Sequence, residues 1–193
     1  MNERIAQVAT SSCAPGSDAH APLATGIDLR DVQREAALTS LFDRYHGQML
    51  KLAVLLGAGP DAEDVAAEAF CELHRSWARL RAPDAAPAYL RAVVCNLVRM
   101  RLRHLDVVRR HHEWPVPDAS SAEAEAMLRE DQREVVAALR ELPERQRQAL
   151  VLRYWLDLRE QEVADAMGIS AGAVKAHVSR GMAALTRSLG ACR

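Results

Sequence analysis

The sequence predicts an all-α fold of two small helical domains, joined by a flexible linker. Three observations carry this. The 193 residues are dominated by Ala, Leu, Arg and Glu, all good helix formers, and aromatic residues make up only 4%. Apolar residues recur at helical spacing, with no stretch of strand-like alternation. Gly57-Ala-Gly59-Pro60, Pro83 and Pro87, and Pro115 and Pro117 fall between the periodic segments.

Residues 1–30 are rich in Ala, Ser, Pro and Gly, show no apolar period, and are expected to form a disordered extension. A first domain is expected over 31–105. Phe42, Tyr45, Met49, Leu52, Val54 and Leu56 mark its first helix, which Gly57-Ala-Gly59-Pro60 should end. Val65, Phe70 and Leu73 mark a second helix beginning near Asp61. Pro83 and Pro87 bracket a loop, and Tyr89, Leu90, Val93, Val94, Leu97 and Leu102 mark a third helix. From Val107 the period fails, and Pro115, Pro117 and Ser120-Ser121 indicate a linker placed at 106–127. Fully extended, some 20 residues bridge about 65 Å. Helices over Glu125–Leu142 and Glu144–Leu156 should follow, split by Pro143, within a second domain at 128–193.

Residues 158–187 read as a helix-turn-helix. Small Ala164 lets two helices cross, Gly168 suits a positive-φ turn, and Ser170 stands at an N-cap position. Val163, Met167, Ile169, Val174 and Val178 supply the buried side. On the final helix Val174, Val178, Gly181, Met182 and Leu185 share one face, while Gly172, Ala176, Ser179, Arg180 and Arg187 share the opposite one. Lys175 and His177 flank that polar face, whose groups suit phosphates and base edges.

The net charge of −1 excludes a simple non-specific DNA binder, but the charges are segregated. Five acids and no Lys or Arg lie between Lys51 and Arg75. Six arginines face one acid, Asp106, between Tyr89 and His112, and seven acids face Arg129 and Arg133 across 113–134. Such blocks point to different partners for different surfaces. Cys13, Cys71, Cys95 and Cys192 form no C-x-x-C pair, so no metal site and no cofactor is expected. Reduced thiols and the lack of a signal or spanning segment place the protein in the cytoplasm, without membrane insertion. None of the seven histidines follows a Glu by three residues, as a di-iron bundle needs, and no catalytic constellation emerges. The alternative function is a stand-alone helix-turn-helix regulator with an N-terminal sensing or dimerisation domain, which near-neutral charge disfavours.

Asp61-Ala-Glu-Asp-Val-Ala-Ala-Glu-Ala-Phe70 and Ala88-Tyr-Leu-Arg-Ala-Val-Val-Cys-Asn-Leu-Val-Arg-Met-Arg-Leu-Arg103 resemble region 2 of the extracytoplasmic-function (ECF) sigma factors of bacterial RNA polymerase. Leu142-Pro-Glu-Arg-Gln-Arg-Gln-Ala-Leu-Val-Leu-Arg-Tyr154, with the helix-turn-helix after it, resembles region 4. The likeness covers roughly 35–190, and the Ala/Arg bias, with only Lys51 and Lys175 as lysines, is similar to actinobacterial members.

The resemblance implies that Asp61, Asp64, Glu68 and Phe70 dock on the clamp helices of the polymerase's largest subunit, and that region 4 meets the flap of the second-largest subunit. It implies that Tyr89, Arg91, Asn96, Arg99 and Arg103 serve minus-ten recognition and melting. Lys175, His177, Ser179 and Arg180 would read the minus-thirty-five element. It further implies promoter DNA as a partner, an acidic linker threading the polymerase channels, and control by an anti-sigma protein. Three departures stand out: Ala67 where the family often has Gln, Ala176 for Ser, and His177 for Arg. The preferred promoter sequence therefore does not carry over.

Overall fold

The computed structural model describes residues 29–80, 82–111 and 130–190. Helix α1 spans Leu29–Leu56, α2 Ala62–Ser76, α3 Ala86–His111, α4 Glu130–Arg140, α5 Glu144–Leu150, α6 Glu160–Met167 and α7 Ala171–Gly190. The extension before Leu29 and residues 112–129 lie outside the described residues, as do Cys13 and Cys192.

Helices α1, α2 and α3 pack mutually into the first module. Met49, Leu52 and Leu56 of α1, Val65 and Leu73 of α2, and Leu90, Val94 and Val98 of α3 are essentially removed from water. This is the helical spacing seen in the sequence, turned into a core. Helix α1 stops as expected: Gly57 has φ +95°, and its N–H donates to the Val54 carbonyl at 3.0 Å. A short 3-10 turn over Gly59–Asp61 leads into α2.

Two boundaries differ from expectation. Helix α3 runs to His111, past both the failing period at Val107 and the domain end placed at 105. Its arginines and leucines are good helix formers, and no proline intervenes before 115. The segment after Pro143 is α-helical only to Leu150. It then widens into a π-turn over Val151–Trp155, closed by Leu156 N–H on the Val151 carbonyl at 3.2 Å. The turn sets Tyr154 and Trp155 outward.

In the second module α7 packs on α4, α5 and α6. A Cβ on Gly181 would stand 3.1 Å from Leu150 Cδ1, so this glycine sets how closely α7 approaches α5. The buried core continues from one module into the other, because α6 lies along α3 and α1 touches α4, α5 and the π-turn. Among the described residues, no helix is long and apolar enough to cross a membrane.

Candidate nucleic-acid interface

The helix-turn-helix is built as its residues dictate. Arg159 carries no side-chain acceptor for an N-cap, but its N–H donates to Glu162 Oε2 at 2.7 Å, the reverse half of a capping box. Ala164 is buried at the crossing. Gly168 ends α6 with φ 63° and ψ 42°, the left-handed conformation that costs glycine nothing. Ser170 Oγ accepts the Ala173 N–H at 3.2 Å and so caps α7. Val174 and Gly181 are buried and Val178, Met182 and Leu185 half-buried, while Gly172, Ala176, Ser179, Arg180 and Arg187 are exposed.

The four residues expected to read DNA share this outer part of α7 but differ in state. Ser179 and Arg180 are exposed. Lys175 Nζ lies 3.6 Å from Glu160 Oε2, an ion pair linking the two helices of the motif. His177 is half-buried, and its Nδ1 is enclosed without a hydrogen-bond partner. Burial, then the cations Arg180 and Arg145, hold its pKa below the usual imidazole value. His177 is thus a neutral ring near pH 7 rather than a charge.

Arg145, Arg147 and Arg153 each donate to a main-chain carbonyl. Arg145 Nη1 donates to the Met167 carbonyl at 3.0 Å, binding the end of α6, where the helix dipole favours a cation. Arg147 donates to the Arg140 carbonyl at 3.2 Å, and Arg153 to the Leu158 carbonyl at 2.8 Å. All three staple loop or helix-end carbonyls of the second module.

On α3 the side chains split by face. Asn96 and Arg103 are exposed, and Arg99 donates to Asn96 Oδ1. Met100, Arg103, His104 and Val107 complete an exposed basic and apolar strip. Tyr89 is half-buried, and its hydroxyl donates to Ser76 Oγ at 2.8 Å, which fixes the ring against the end of α2. Arg91 is half-buried. The first module therefore offers a ready strip at 96–107, with Tyr89 at its base.

Among the docking candidates, Asp64 is exposed, but Asp61 and Glu68 are bound to the arginine helix. Arg101 Nη2 lies 3.1 Å from Glu68 Oε2, and Nη1 donates to the Asp61 carbonyl at 3.1 Å. The acidic and basic blocks are thus partly partners of each other, a contact that sequence blocks read separately cannot show. Phe70 is buried. Phe42 covers it edge-on at 5.0 Å and stacks on His46 at 4.4 Å, and His46 Nε2 lies 3.1 Å from Glu63 Oε1. Phe42 itself is 43% exposed. Its helical spacing places it in the α1 core; only the α1–α2 packing reveals its exposure.

Between α1 and the second module lies an open apolar cleft of about 490 Å³, lined among others by Leu50, Lys51, Leu139, Tyr154, Trp155 and Met182. Among the described residues, no three His, Cys, Asp or Glu side chains gather as metal ligands would.

Comparison with known proteins agrees with this layout. Residues 41–107 match the family model for Sigma-70 region 2, and residues 132–185 match that for Sigma-70, region 4. The chain is 31% identical over 158 residues to the ECF RNA polymerase sigma factor SigM of Mycobacterium tuberculosis, covering 80% of this chain and 78% of that protein. It is 33% identical over 133 residues to the RNA polymerase sigma-E factor of Streptomyces coelicolor, covering 67% and 72%. The fold is that of the sigma factor RpoE solved with the anti-sigma factor NepR from Bartonella quintana, with a TM-score of 0.61 at 19% identity over 86% of this chain and 100% of that one. CnrH, solved with the cytosolic domain of CnrY, gives 0.57 at 22% identity over 84% and 97%.

Proposed function

Since this chain belongs to the sigma-70 family of RNA polymerase sigma factors, in its ECF branch, we propose how its own residues divide the work of an alternative sigma factor. Such a factor binds core polymerase, directs it to particular promoters and starts transcription, without bond chemistry of its own. The N-terminal module matches region 2, not a sensing or dimerisation domain.

The first module, from the start of α1 to the end of α3, docks on core and opens the minus-ten element. Asp64 and Phe42 make the outward contacts, with Asp61, Glu68 and Phe70 holding the docking surface in shape. Asn96, Arg99 and Arg103 lie on the strip that meets the non-template strand. Arg99 and Arg103 neutralise phosphates, while Asn96 offers both a donor and an acceptor to an unstacked base. Tyr89 supports that surface from beneath, and Arg91 adds charge at its edge. The second module, α4 to α7, reads the minus-thirty-five element through Ser179, Arg180, Lys175 and the neutral ring of His177, while meeting the polymerase flap. The observation that carries this reading is the pair of surfaces itself: a capped helix-turn-helix and an arginine strip, each on the module that matches the corresponding sigma region. The work is done in the cytoplasm, where the polymerase is.

An anti-sigma partner forms part of the same reading. The cleft beside Lys51, Tyr154 and Trp155 has apolar walls from both modules and fits an amphipathic helix with acidic flanks. RpoE of Bartonella quintana was co-crystallised with the anti-sigma factor NepR, and CnrH was solved with the cytosolic domain of CnrY.

The test is run-off transcription with purified core and a genomic fragment library, comparing wild type, Arg180→Ala and Asn96→Ala. Core-dependent transcripts should appear with wild type, weaken at promoters with minus-thirty-five elements in Arg180→Ala, and fail at opening in Asn96→Ala. Tight sequence-specific DNA binding without core, and no transcript with it, would overturn the reading.

A further inference from the structure

Two large apolar side chains stand in water on the exposed strip of α3. Met100 is 64% exposed, the most of any large apolar residue among the described residues, and Val107 is 51% exposed. Asn96, Met100, Arg103 and Val107 follow one another at steps of four, three and four residues, so they share one stripe of the helix. Of the other exposed apolar residues, Val135, Tyr154 and Trp155 line the cleft and Phe42 covers Phe70. Met100 and Val107 do neither. Single apolar residues scattered over a surface are ordinary, but these two are set among Arg99, Arg103 and exposed His104. The rotation of α3 is fixed, because Val94 and Val98 are buried and Arg101 is held by Glu68 and the Asp61 carbonyl. The stripe therefore faces outward permanently.

We propose that Met100 and Val107 read thymine methyl groups in the major groove of the DNA that stays paired beside the opened minus-ten element. The inference rests on the sigma reading above and assigns two specificity-determining residues to it. A helix roughly 10–12 Å across enters the major groove, about 12 Å wide, and not the minor groove, about half that width. There a thymine presents its 5-methyl, an apolar group that an aliphatic side chain contacts. Met100 and Val107 stand about 10 Å apart along the axis at roughly 1.5 Å per residue, close to three base-pair steps of about 3.4 Å. Arg99, Arg103 and His104 beside them meet the phosphates of the groove walls. An unpaired strand calls for different side chains. Single-strand sites stack bases on aromatic rings, and residues 96–107 include no Phe, Tyr or Trp. Chain direction agrees with this placement. Helix α3 ends at His111, where the chain continues to the minus-thirty-five module, so Asn96 lies toward the opened DNA and Val107 toward the upstream duplex.

The test uses the full-length chain with core polymerase on promoters recovered by run-off transcription. Thymines around the minus-ten element are replaced one at a time by uracil, which pairs identically but lacks the methyl. The holoenzyme concentration giving half-maximal transcript is compared for wild type, Met100→Ala, Val107→Ala and Met100→Leu, with circular dichroism to confirm equal helix content. Wild type should weaken about fourfold at a uracil replacing each contacted thymine, equivalent to ~0.8 kcal/mol for one buried methyl. Met100→Ala should be weaker by a similar factor on thymine DNA and indifferent to uracil at one of those positions. Val107→Ala should be indifferent at another, about three base pairs upstream. Met100→Leu, apolar and of similar size, should keep the wild-type response. A purely structural role would lower the yield of the alanine variants equally on thymine and uracil templates, and that result would overturn the inference. So would a wild type indifferent to uracil at every position, or a response confined to thymines that permanganate finds unpaired in the open complex. A wild type without any core-dependent transcript would overturn the sigma reading, and this inference with it.

Discussion

Arg101 of α3 and Glu68 of α2 form an ion pair with Nη2 and Oε2 3.1 Å apart, and the same guanidinium donates to the Asp61 carbonyl at the start of α2. One side chain therefore ties the helix proposed to dock on polymerase to the helix proposed to meet DNA. The pair is half-shielded, with Arg101 28% and Glu68 44% exposed, so solvent screens part of its strength. Arg101→Ala should lower the unfolding free energy by about 1–2 kcal/mol in urea denaturation, the range left for a charge-assisted bond after that discount. A change below about 0.3 kcal/mol would mean water already satisfies both groups.

Gly168 is the cleanest conformational test in the helix-turn-helix. It has φ 63°, and a Cβ placed on it would meet nothing within 4 Å. Any cost of substitution is therefore backbone strain and not a clash. Gly168→Ala should destabilise by about 1–2 kcal/mol, and Gly168→Asn by less, because Asn tolerates the left-handed region better. Urea midpoints for the two variants check the order. Equal losses would point to packing instead.

His177 links stability to pH. Its pKa is held below 6.5, first by burial and then by Arg180 and Arg145. Between 6.5 and the lowered folded value the unfolded chain binds a proton that the folded chain resists. Stability is thus fully present above pH 6.5 and falls as the solution is acidified through that window. His177→Gln should remove this part of the decline, seen as a flatter urea midpoint between pH 7 and pH 5.5.

The same neutral ring predicts a salt effect. At pH 7.5, His177→Arg adds a permanent cation to the DNA face. The slope of log affinity against log salt should steepen by about 0.9 if that cation reaches one phosphate. An unchanged slope in a binding titration with duplex DNA would show that position 177 faces away from the backbone.

Cysteine reactivity should divide the described thiols. Cys71 is exposed, whereas Cys95 is buried with its pKa pushed up to about 12 by desolvation, which Arg99, Arg91 and Arg145 only partly oppose. Iodoacetamide at pH 8 should label Cys71 promptly and leave Cys95 unmodified in the native protein, as peptide mass mapping would show. Rapid labelling at Cys95 would mean that the core of the first module opens readily.

The helix-turn-helix was legible in the sequence because each turn requires a residue type. Only glycine fits Gly168 without strain, a hydroxyl suits Ser170, and a small side chain suits Ala164. The destinations of the arginines were not legible. A guanidinium names donors without naming an acceptor, so the sequence does not place Arg145, Arg147 and Arg153 at the carbonyls of Met167, Arg140 and Leu158. Phe42 and Phe70 illustrate the same limit. Both are apolar at helical spacing, and only the way α1 crosses α2 decides which is covered. Gln148 reads as a surface residue of an amphipathic helix, because its burial depends on a contact 53 residues away.

The π-turn at Val151–Trp155 has a consequence for changes in chain length. A π-turn holds one residue more than the α-helical turn it replaces. Deleting one of its five residues would let α5 run on as regular α-helix in nearly its present register, whereas deleting a residue of Glu144–Leu150 would rotate α6 and α7 by roughly 100° about the α5 axis. The reading face of α7 would then leave its register with α5, although no DNA contact had been touched. Single-residue deletions should therefore be lethal to function at 144–150 and far better borne at 151–155.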